Sequence, residues 1–286
     1  MACAKYFLAN GKLSAKEAKS IIKRALAEDI GGGDITTRLT IPKKAQIKAR
    51  IIAKENFLLC GIDLAKKVFS AVDPGIKFMA KARDGKAVHN KDILAFISGK
   101  AASILTAERV ALNLVSLLSG IATKTSVFVK RIEPFKTKIM DTRKTVAGLR
   151  QLQKYAVRVG SGYNHRISLA EMVLIKDNHL KIIGNYSHLP KVPGGCKIEI
   201  ETQNLKEFRH AISFKPDIIM LDNMKIRDIK EAVKIRNSLK INTKLEASGG
   251  IHLGNVKKYA STGVEFISIG ELTDSIKSVD ISLEVD

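Results

Sequence analysis

The second half of the chain alternates short apolar runs with amphipathic segments. Helical segments such as Leu205–Ile212 and Ile226–Leu239 lie between runs that have the length and composition of strands. Strands that are joined by crossover helices form a parallel sheet, and six such units predict an α/β barrel or most of one. The six predicted strands are 138–141 (KIMD), 172–176 (MVLIK), 197–201 (KIEIE), 217–221 (DIIML), 244–248 (KLEAS) and 266–270 (FISIG).

The first half has a mixed pattern. Ser14 and Glu17 form a capping-box pair in front of an amphipathic helix, which a turn at 31–37 (GGGDITT) ends. Residues 46–98 combine short strand-like runs with a helix near Ile62–Val72, which predicts an α+β segment. A long apolar helix from Thr106 to about Val129 follows. Its predicted buried face carries Ile104, Ala111, Val115, Leu118 and Ala122.

The composition argues against several classes of protein. The 286 residues contain 49 Lys and Arg against 28 Asp and Glu, a net charge of +21, but the basic residues are scattered and Trp is absent. A base-stacking platform is therefore poorly supported, and we expect no nucleic-acid partner. No run of about 18 apolar residues and no secretory signal is present, so we expect neither a membrane span nor export. Three widely spaced cysteines argue against a disulfide framework and, with the other features, predict a cytoplasmic protein.

Each of the six predicted strands ends in, or runs directly into, polar residues or glycines. They are Asp141–Lys144, Lys176–His179, Glu201, Asp222–Asn223, Ser248–Gly250 and Gly270. The carboxyl ends of barrel strands meet at one mouth, where the active sites of such barrels lie. The sequence therefore predicts a site at this mouth.

Three kinds of group meet at the predicted mouth. The cations Arg143, Lys144, His165, Arg166 and Lys176 predict a polyanionic ligand, although each could instead pair with a neighbouring carboxylate. The carboxylates Glu201 and Asp222 suit Mg²⁺, ribose hydroxyls or a developing oxocarbenium ion, or they could be ion-pair partners of Lys144 and Lys176. The glycine-rich segments 247–251 (ASGGI) and 268–273 (SIGELT) suit phosphate.

Several other chemistries lack their motifs. The sequence has no HExxH pattern, no GxxxxGK[ST] loop and no GxSxG elbow. These absences disfavour catalytic zinc, a P-loop nucleotide hydrolase and an acyl-transfer serine.

Several longer segments resemble the quinolinate phosphoribosyltransferase family. They are 28–37 (EDIGGGDITT), 106–123 (TAERVALNLVSLLSGIAT), 141–179 (DTRKTVAGLRQLQKYAVRVGSGYNHRISLAEMVLIKDNH), 245–251 (LEASGGI) and 267–275 (ISIGELTDS). The resemblance implies an N-terminal α/β sandwich domain at 1–115, joined by the C-terminal strand 276–286, and an incomplete parallel α/β barrel at 116–275. It also implies a homodimer or larger assembly in which Arg109 reaches the partner's site.

The resemblance implies the reaction as well. Quinolinate and phosphoribosyl pyrophosphate would give nicotinate mononucleotide, pyrophosphate and CO₂, a step of NAD biosynthesis. Lys144, Lys176, Glu201 and Asp222 would be catalytic, and the last two would hold Mg²⁺. The implied substrate-binding residues are Arg109, Thr142, Arg143, Lys144, His165, Arg166, Lys176, Ser248, Gly249, Gly250 and Gly270.

The chain departs from the family pattern at three places. Val146-Ala147 stands where the family has Pro, Ser161 interrupts a run of glycines, and Asp274 replaces a His beside the expected phosphate loop. Two alternatives stay open at this point. One is a phosphoribosyltransferase that acts on another acidic ring such as nicotinate, and the other is a nucleic-acid-binding protein that uses the positive charge.

Overall fold

A computed structural model describes residues 14–184, 192 and 195–286. The chain divides into two compact units. We call one the N-terminal unit (described residues up to 126, 146–161 and 275–286) and the other the barrel unit (127–145 and the described residues of 162–274). The boundaries at 1–115 and 116–275 stay a prediction about the domains.

The N-terminal unit contains an antiparallel four-stranded sheet. Its order is β12-β1-β5-β3, so the last strand of the chain pairs with the first, from Ala49↔Val285 to Ala53↔Ile281. A second sheet has two short strands, β2 and β4. The strands are β1 (Gln46–Ala53), β2 (Phe57–Leu58), β3 (Lys77–Ala80), β4 (Ala87–Val88), β5 (Ile93–Lys100) and β12 (Ile281–Val285).

Five helices belong to this half of the fold or begin in it. The Ser14 hydroxyl accepts a hydrogen bond from the Glu17 N–H at 3.1 Å, so the predicted helix start is confirmed. The segment predicted as a turn contains a second helix, because Asp34 caps it by accepting the Thr37 N–H at 2.9 Å. The helices are α1 (Ala15–Ile30), α2 (Ile35–Thr40), α3 (Ile62–Val72), α4 (Ala101–Arg131) and α5 (Arg150–Val159).

Helix α4 is the long apolar helix that the sequence predicts. All five residues of its predicted buried face, Ile104, Ala111, Val115, Leu118 and Ala122, are fully buried. The helix is long and apolar enough to cross a membrane, but 61% of its apolar window is buried inside the protein. That burial is typical of the core helix of a soluble protein.

The barrel unit is built on a parallel six-stranded sheet of order β6-β11-β10-β9-β8-β7. The first strand of the unit pairs with the last, and the sheet is open between β6 and β7, where the isolated bridge Met140↔Tyr163 lies. The predicted incomplete α/β barrel is therefore confirmed. The strands are β6 (Lys138–Met140), β7 (Val173–Ile175), β8 (Ile198–Thr202), β9 (Ile218–Asp222), β10 (Lys244–Ser248) and β11 (Phe266–Ser268).

Helices follow most of the strands of this sheet. They are α6 (Asp177–Ile183), α7 (Leu205–Ser213), α8 (Ile226–Ser238) and α9 (Val256–Ala260), and a single 3-10 turn at Gly270–Leu272 follows β11. The predicted strand at 266–270 is two residues too long, because Gly270 already begins that turn.

The cysteines depart in part from the sequence expectation. Cys60 is buried and free, whereas Cys196 is disulfide-bonded. Cys3 lies outside the described residues. The expectation from sequence that the cysteines form no disulfide framework therefore does not hold at Cys196.

Candidate functional site

A cavity of about 660 Å³ opens at the carboxyl ends of the parallel strands. Residues in or just after the carboxyl ends of all six strands line it, as barrel geometry requires. It contains twelve of the thirteen predicted site residues: Thr142, Arg143, Lys144, His165, Arg166, Lys176, Glu201, Asp222, Ser248, Gly249, Gly250 and Gly270.

Arg109 is the thirteenth predicted residue. It is exposed on α4, in the N-terminal unit, and it is not among the described residues that line the cavity. The sequence assigned it to the neighbouring subunit's site through a family resemblance, and that role stays a prediction.

Asp141 fixes the segment that carries His165 and Arg166. Its buried carboxylate accepts the His165 N–H at 2.9 Å and the Asn164 side-chain amide at 2.5 Å. The carboxylate therefore joins the end of β6 to the loop at 164–166. A charge-assisted pair of hydrogen bonds holds this loop more firmly than neutral contacts would.

The cationic side of the cavity is crowded with like charge. Arg166 is only 8% exposed and donates from Nη1 to the Met172 carbonyl at 3.0 Å. Burial and then the Arg143 guanidinium lower the pKa of Arg166, while Glu199 and Glu171 oppose that shift. An anion in the cavity would relieve the repulsion between the two arginines.

The two predicted carboxylates have different surroundings. Glu201 is buried and its Oε2 lies 2.5 Å from Lys176 Nζ, which is the ion pair that the alternative interpretation expects for Lys176. Asp222 is half-buried and accepts a hydrogen bond from Asn223 Nδ2 at 2.8 Å. Both offer oxygen atoms at the ends of adjacent strands, β8 and β9, and oxygen is the donor that Mg²⁺ requires.

The glycine turns bring backbone close to neighbouring groups. Gly249 has a φ of +87°, and a Cβ there would lie 2.3 Å from Asn223 Oδ1. The Asn223 N–H also donates to the Ser248 carbonyl at 2.8 Å. Only glycine fits at this crossing, and it leaves the turn without a side chain that would keep an anion away.

Asp274 lies beside the second glycine turn. Its N–H donates to the Gly270 carbonyl at 3.1 Å, and its Oδ2 is 2.9 Å from where a Cβ on Gly270 would stand. The Thr273 hydroxyl donates to the Lys144 carbonyl at 2.7 Å, which joins this turn to the loop after β6. The departure at Asp274 therefore places a carboxylate in the cavity lining next to a predicted phosphate loop.

Two fully buried glutamates escaped the sequence analysis. Glu199 lies inside β8 and Glu246 inside β10, and with His165 they bring three possible metal ligands within 4.8 Å of one another. The signal was present in the strands KIEIE and KLEAS, where an acidic residue stands in the middle of an apolar run. Asn223, Ser268 and Glu271 also line the cavity; the sequence places them at a strand end or in a glycine-rich segment, but none of them was assigned a role.

A second cavity, of about 520 Å³, lies at the amino ends of the same strands. It is lined by five lysines, Lys138, Lys197, Lys215, Lys240 and Lys244, together with neighbouring apolar and polar residues. None of the thirteen predicted site residues lines it.

Comparisons with known proteins agree with this geometry. Family models of the quinolinate phosphoribosyl transferase N-terminal and C-terminal domains match residues 34–119 and 121–284. A probable nicotinate-nucleotide pyrophosphorylase [carboxylating] of Methanocaldococcus jannaschii is 43% identical over 94% of this chain and 97% of its own length. Its counterpart in Synechocystis is 41% identical over 92% and 91%.

The structural comparison gives the same relationship. The nicotinate-nucleotide pyrophosphorylase from Francisella tularensis superimposes with a TM-score of 0.90 at 40% identity, covering 96% of this chain and 98% of that one. The chain therefore belongs to the quinolinate phosphoribosyl transferase family.

Proposed function

We propose that this protein is an enzyme that joins quinolinate to phosphoribosyl pyrophosphate and releases pyrophosphate and CO₂, giving nicotinate mononucleotide for NAD biosynthesis. The observation that carries the proposal is one cavity in which arginines, a carboxylate pair and two glycine turns meet, in a member of this family. These groups match the two anionic substrates.

The arginines are proposed to bind the dicarboxylate. Arg143 and Arg166 repel one another in the cavity, so a ligand with two carboxylates gains more there than a ligand with one. Because each guanidinium can bind a carboxylate through two parallel hydrogen bonds, the pair would also orient the ring.

The carboxylates are proposed to act on the ribose. When pyrophosphate leaves, C1 of the ribose develops positive charge, which Glu201 and Asp222 are suited to stabilise. The ring nitrogen then forms its bond to C1. Lys176, 2.5 Å from Glu201, is free to rotate towards the leaving phosphates since its side chain is 44% exposed.

Decarboxylation follows from the new bond. The ring nitrogen carries a positive charge once it is joined to the ribose, and the electron pair of the breaking carbon–carboxylate bond is stabilised by that charge. The carbon then takes up a proton. The protein's part is to hold both anions in place and to exclude water.

A magnesium ion is proposed to be held by Glu201 and Asp222, whose oxygens line the cavity on adjacent strands. When bound, the ion would supply charge neutralisation for the pyrophosphate group. We also propose a cytoplasmic homodimer or larger assembly in which Arg109 of one subunit serves the site of another.

A direct assay tests the reaction. The protein is incubated with phosphoribosyl pyrophosphate, Mg²⁺ and either quinolinate or nicotinate, and both nucleotide and CO₂ are measured. We expect turnover with quinolinate. Turnover with nicotinate alone would show that the enzyme acts on a monoacid.

Subunit mixing tests the shared site. Arg109→Ala and Lys144→Ala are each expected to be inactive, and mixed dimers are expected to regain part of the activity because one of their two sites is intact. No recovery after proven subunit exchange would contradict the role of Arg109 in the partner's site.

A further inference from the structure

Two carboxyl groups with no exposure to solvent lie at the cavity: Glu246 is part of its lining, and Glu199 contacts the lining residue His165. Glu199 lies in the middle of β8 and Glu246 in the middle of β10, and both are 0% exposed. Among the described residues, neither oxygen of Glu246 has a hydrogen bond of ordinary geometry. Two ionised carboxylates in such a place are destabilising by several kcal/mol each unless a cation or a proton neutralises them.

His165 decides between a metal ion and a proton. Its Nε2 lies 3.0 Å from Glu199 Oε2 and 3.7 Å from Glu246 Oε1, so the three groups could surround a cation. However, its Nδ1 accepts the Arg166 N–H at 2.8 Å, which puts the proton of the neutral ring on Nε2. A metal at Nε2 would force that proton onto Nδ1, against another N–H donor. The arrangement therefore favours a proton.

The charges around Glu246 support protonation of this side chain. Burial and the neighbouring Glu199 raise the pKa of Glu246 to about 8, against the opposing effects of His165, Ser268 and Lys176. At neutral pH Glu246 is therefore mostly protonated, and the buried group carries one negative charge fewer. Arg166, which Glu199 also attracts, is the remaining cation of this group.

Glu246 is also connected to the substrate site. It lines the same cavity as His165, Arg166 and Lys176, although it is sealed from solvent. A negative charge on Glu246 would compete with a bound dicarboxylate for Arg166 and Lys176. By linkage, a bound dianion must also make ionisation of Glu246 more difficult.

We propose that Glu246 is a specificity-determining residue of the quinolinate site, and that quinolinate binds only while this buried carboxyl holds a proton. The proposal rests on the proposed function, because it takes quinolinate as the ligand. Glu246 acts by setting the negative charge at the cavity wall, close to the cations Arg166 and Lys176 that would bind the ligand.

The test is the pH dependence of quinolinate binding between pH 7 and 9. The carboxylates of the ligand and the lysines do not titrate in this range, since their ordinary pKa values lie near 4 and 10. In the wild type we expect the affinity measured by calorimetry to fall by up to about tenfold per pH unit above pH 8, the limit for one required proton. In Glu246→Gln, whose neutral amide has the shape of the protonated acid, we expect an almost flat profile.

Two further measurements separate the possible outcomes. Glu231→Gln, on the half-buried surface of α8, is the matched control and should behave as the wild type. Calorimetry of the wild type in two buffers of different ionisation enthalpy should show net proton uptake near pH 8. This second measurement tests the proposal even if Glu246→Gln does not fold.

Equal pH profiles in the wild type and Glu246→Gln, or no proton uptake, would overturn this inference but leave the proposed function intact. Absence of quinolinate turnover in the wild type at every pH would instead count against the proposed function. A metal ion that co-purifies and is lost in Glu246→Gln would also overturn the inference, in favour of a metal centre.

Discussion

The two ends of the six-stranded sheet have opposite characters although the same strands form both. At the carboxyl ends, arginines, carboxylates and glycine turns meet around a cavity of about 660 Å³. At the amino ends, five lysines and a single acidic residue, Asp217, are among the residues that line a cavity of about 520 Å³. Net charge therefore does not locate the site in a chain of charge +21, whereas the mixture of opposite charges and glycine turns does.

The largest expected difference is between two lysines at opposite ends. Lys176→Ala removes the cation that lies 2.5 Å from Glu201, and we expect kcat/KM to fall by about 100- to 1000-fold, as for loss of a charge-stabilising group. Lys244→Ala removes an exposed lysine at the amino end and should change kcat/KM less than about twofold. Similar losses in both variants would mean that the amino end takes part in the reaction.

A second comparison uses two buried arginines. Arg166→Lys keeps the charge but loses bidentate binding, so we expect KM for quinolinate to rise by about 10- to 100-fold. Arg236 binds the Thr243 carbonyl and Glu265 near the amino ends, and Arg236→Lys should lower stability while leaving KM unchanged. Steady-state kinetics and thermal unfolding of both variants distinguish binding from structure.

A third comparison uses two glycines with positive φ. Gly249→Ala, at the carboxyl end, would place a Cβ 2.3 Å from Asn223 Oδ1, so we expect destabilisation of about 2 to 3 kcal/mol and loss of phosphoribosyl pyrophosphate binding. Gly263→Ala, at the amino end, meets only Val233 at 3.5 Å and should destabilise by about 1 kcal/mol through its φ of +92° alone. Denaturant unfolding of both variants measures the difference, and equal losses would show that the crossing at Gly249 adds no constraint.

The smallest effect concerns backbone strain. Lys240 and Asn223 both have a positive φ, 51° and 55°. Lys240→Gly should stabilise the protein by about 0.5 to 1 kcal/mol without changing activity, because glycine adopts this conformation without strain. Asn223→Gly gains less, because asparagine tolerates this conformation better than lysine, and it loses the hydrogen bond to Asp222, so its activity should fall. A stable and fully active Asn223→Gly would show that the bond does not position Asp222.

Periodicity was a good guide to the longer helices and the buried strands of both units. The predicted strand 244–248 coincides with β10, and the helix near Ile62–Val72 coincides with α3, because a sustained apolar pattern leaves few alternatives. Short edge elements such as β3 were missed. Phe78 is the one residue of β3 that is half-buried, and the others are exposed. The pattern of this strand therefore does not differ from that of a loop.

The residues at the mouth of the barrel could be predicted from the sequence, but the buried residues behind them could not. Residues that follow strands were found because the topology alone brings strand ends together. Glu199 and Glu246 were not, because their importance comes from their complete burial and from the contact of both with His165. Those are tertiary facts, and an acidic residue inside a strand has many ordinary explanations.

The pairing of β12 with β1 has a consequence for folding during synthesis. During synthesis β1 leaves the ribosome long before β12 does. One edge of β1 therefore stays unpaired while more than two hundred further residues are made. An unpaired strand edge is a template for aggregation, and contacts so distant in sequence form slowly. Truncation of the last few residues would leave that edge of β1 permanently unpaired. We infer that such a chain would aggregate although it still contains every residue that lines the cavity.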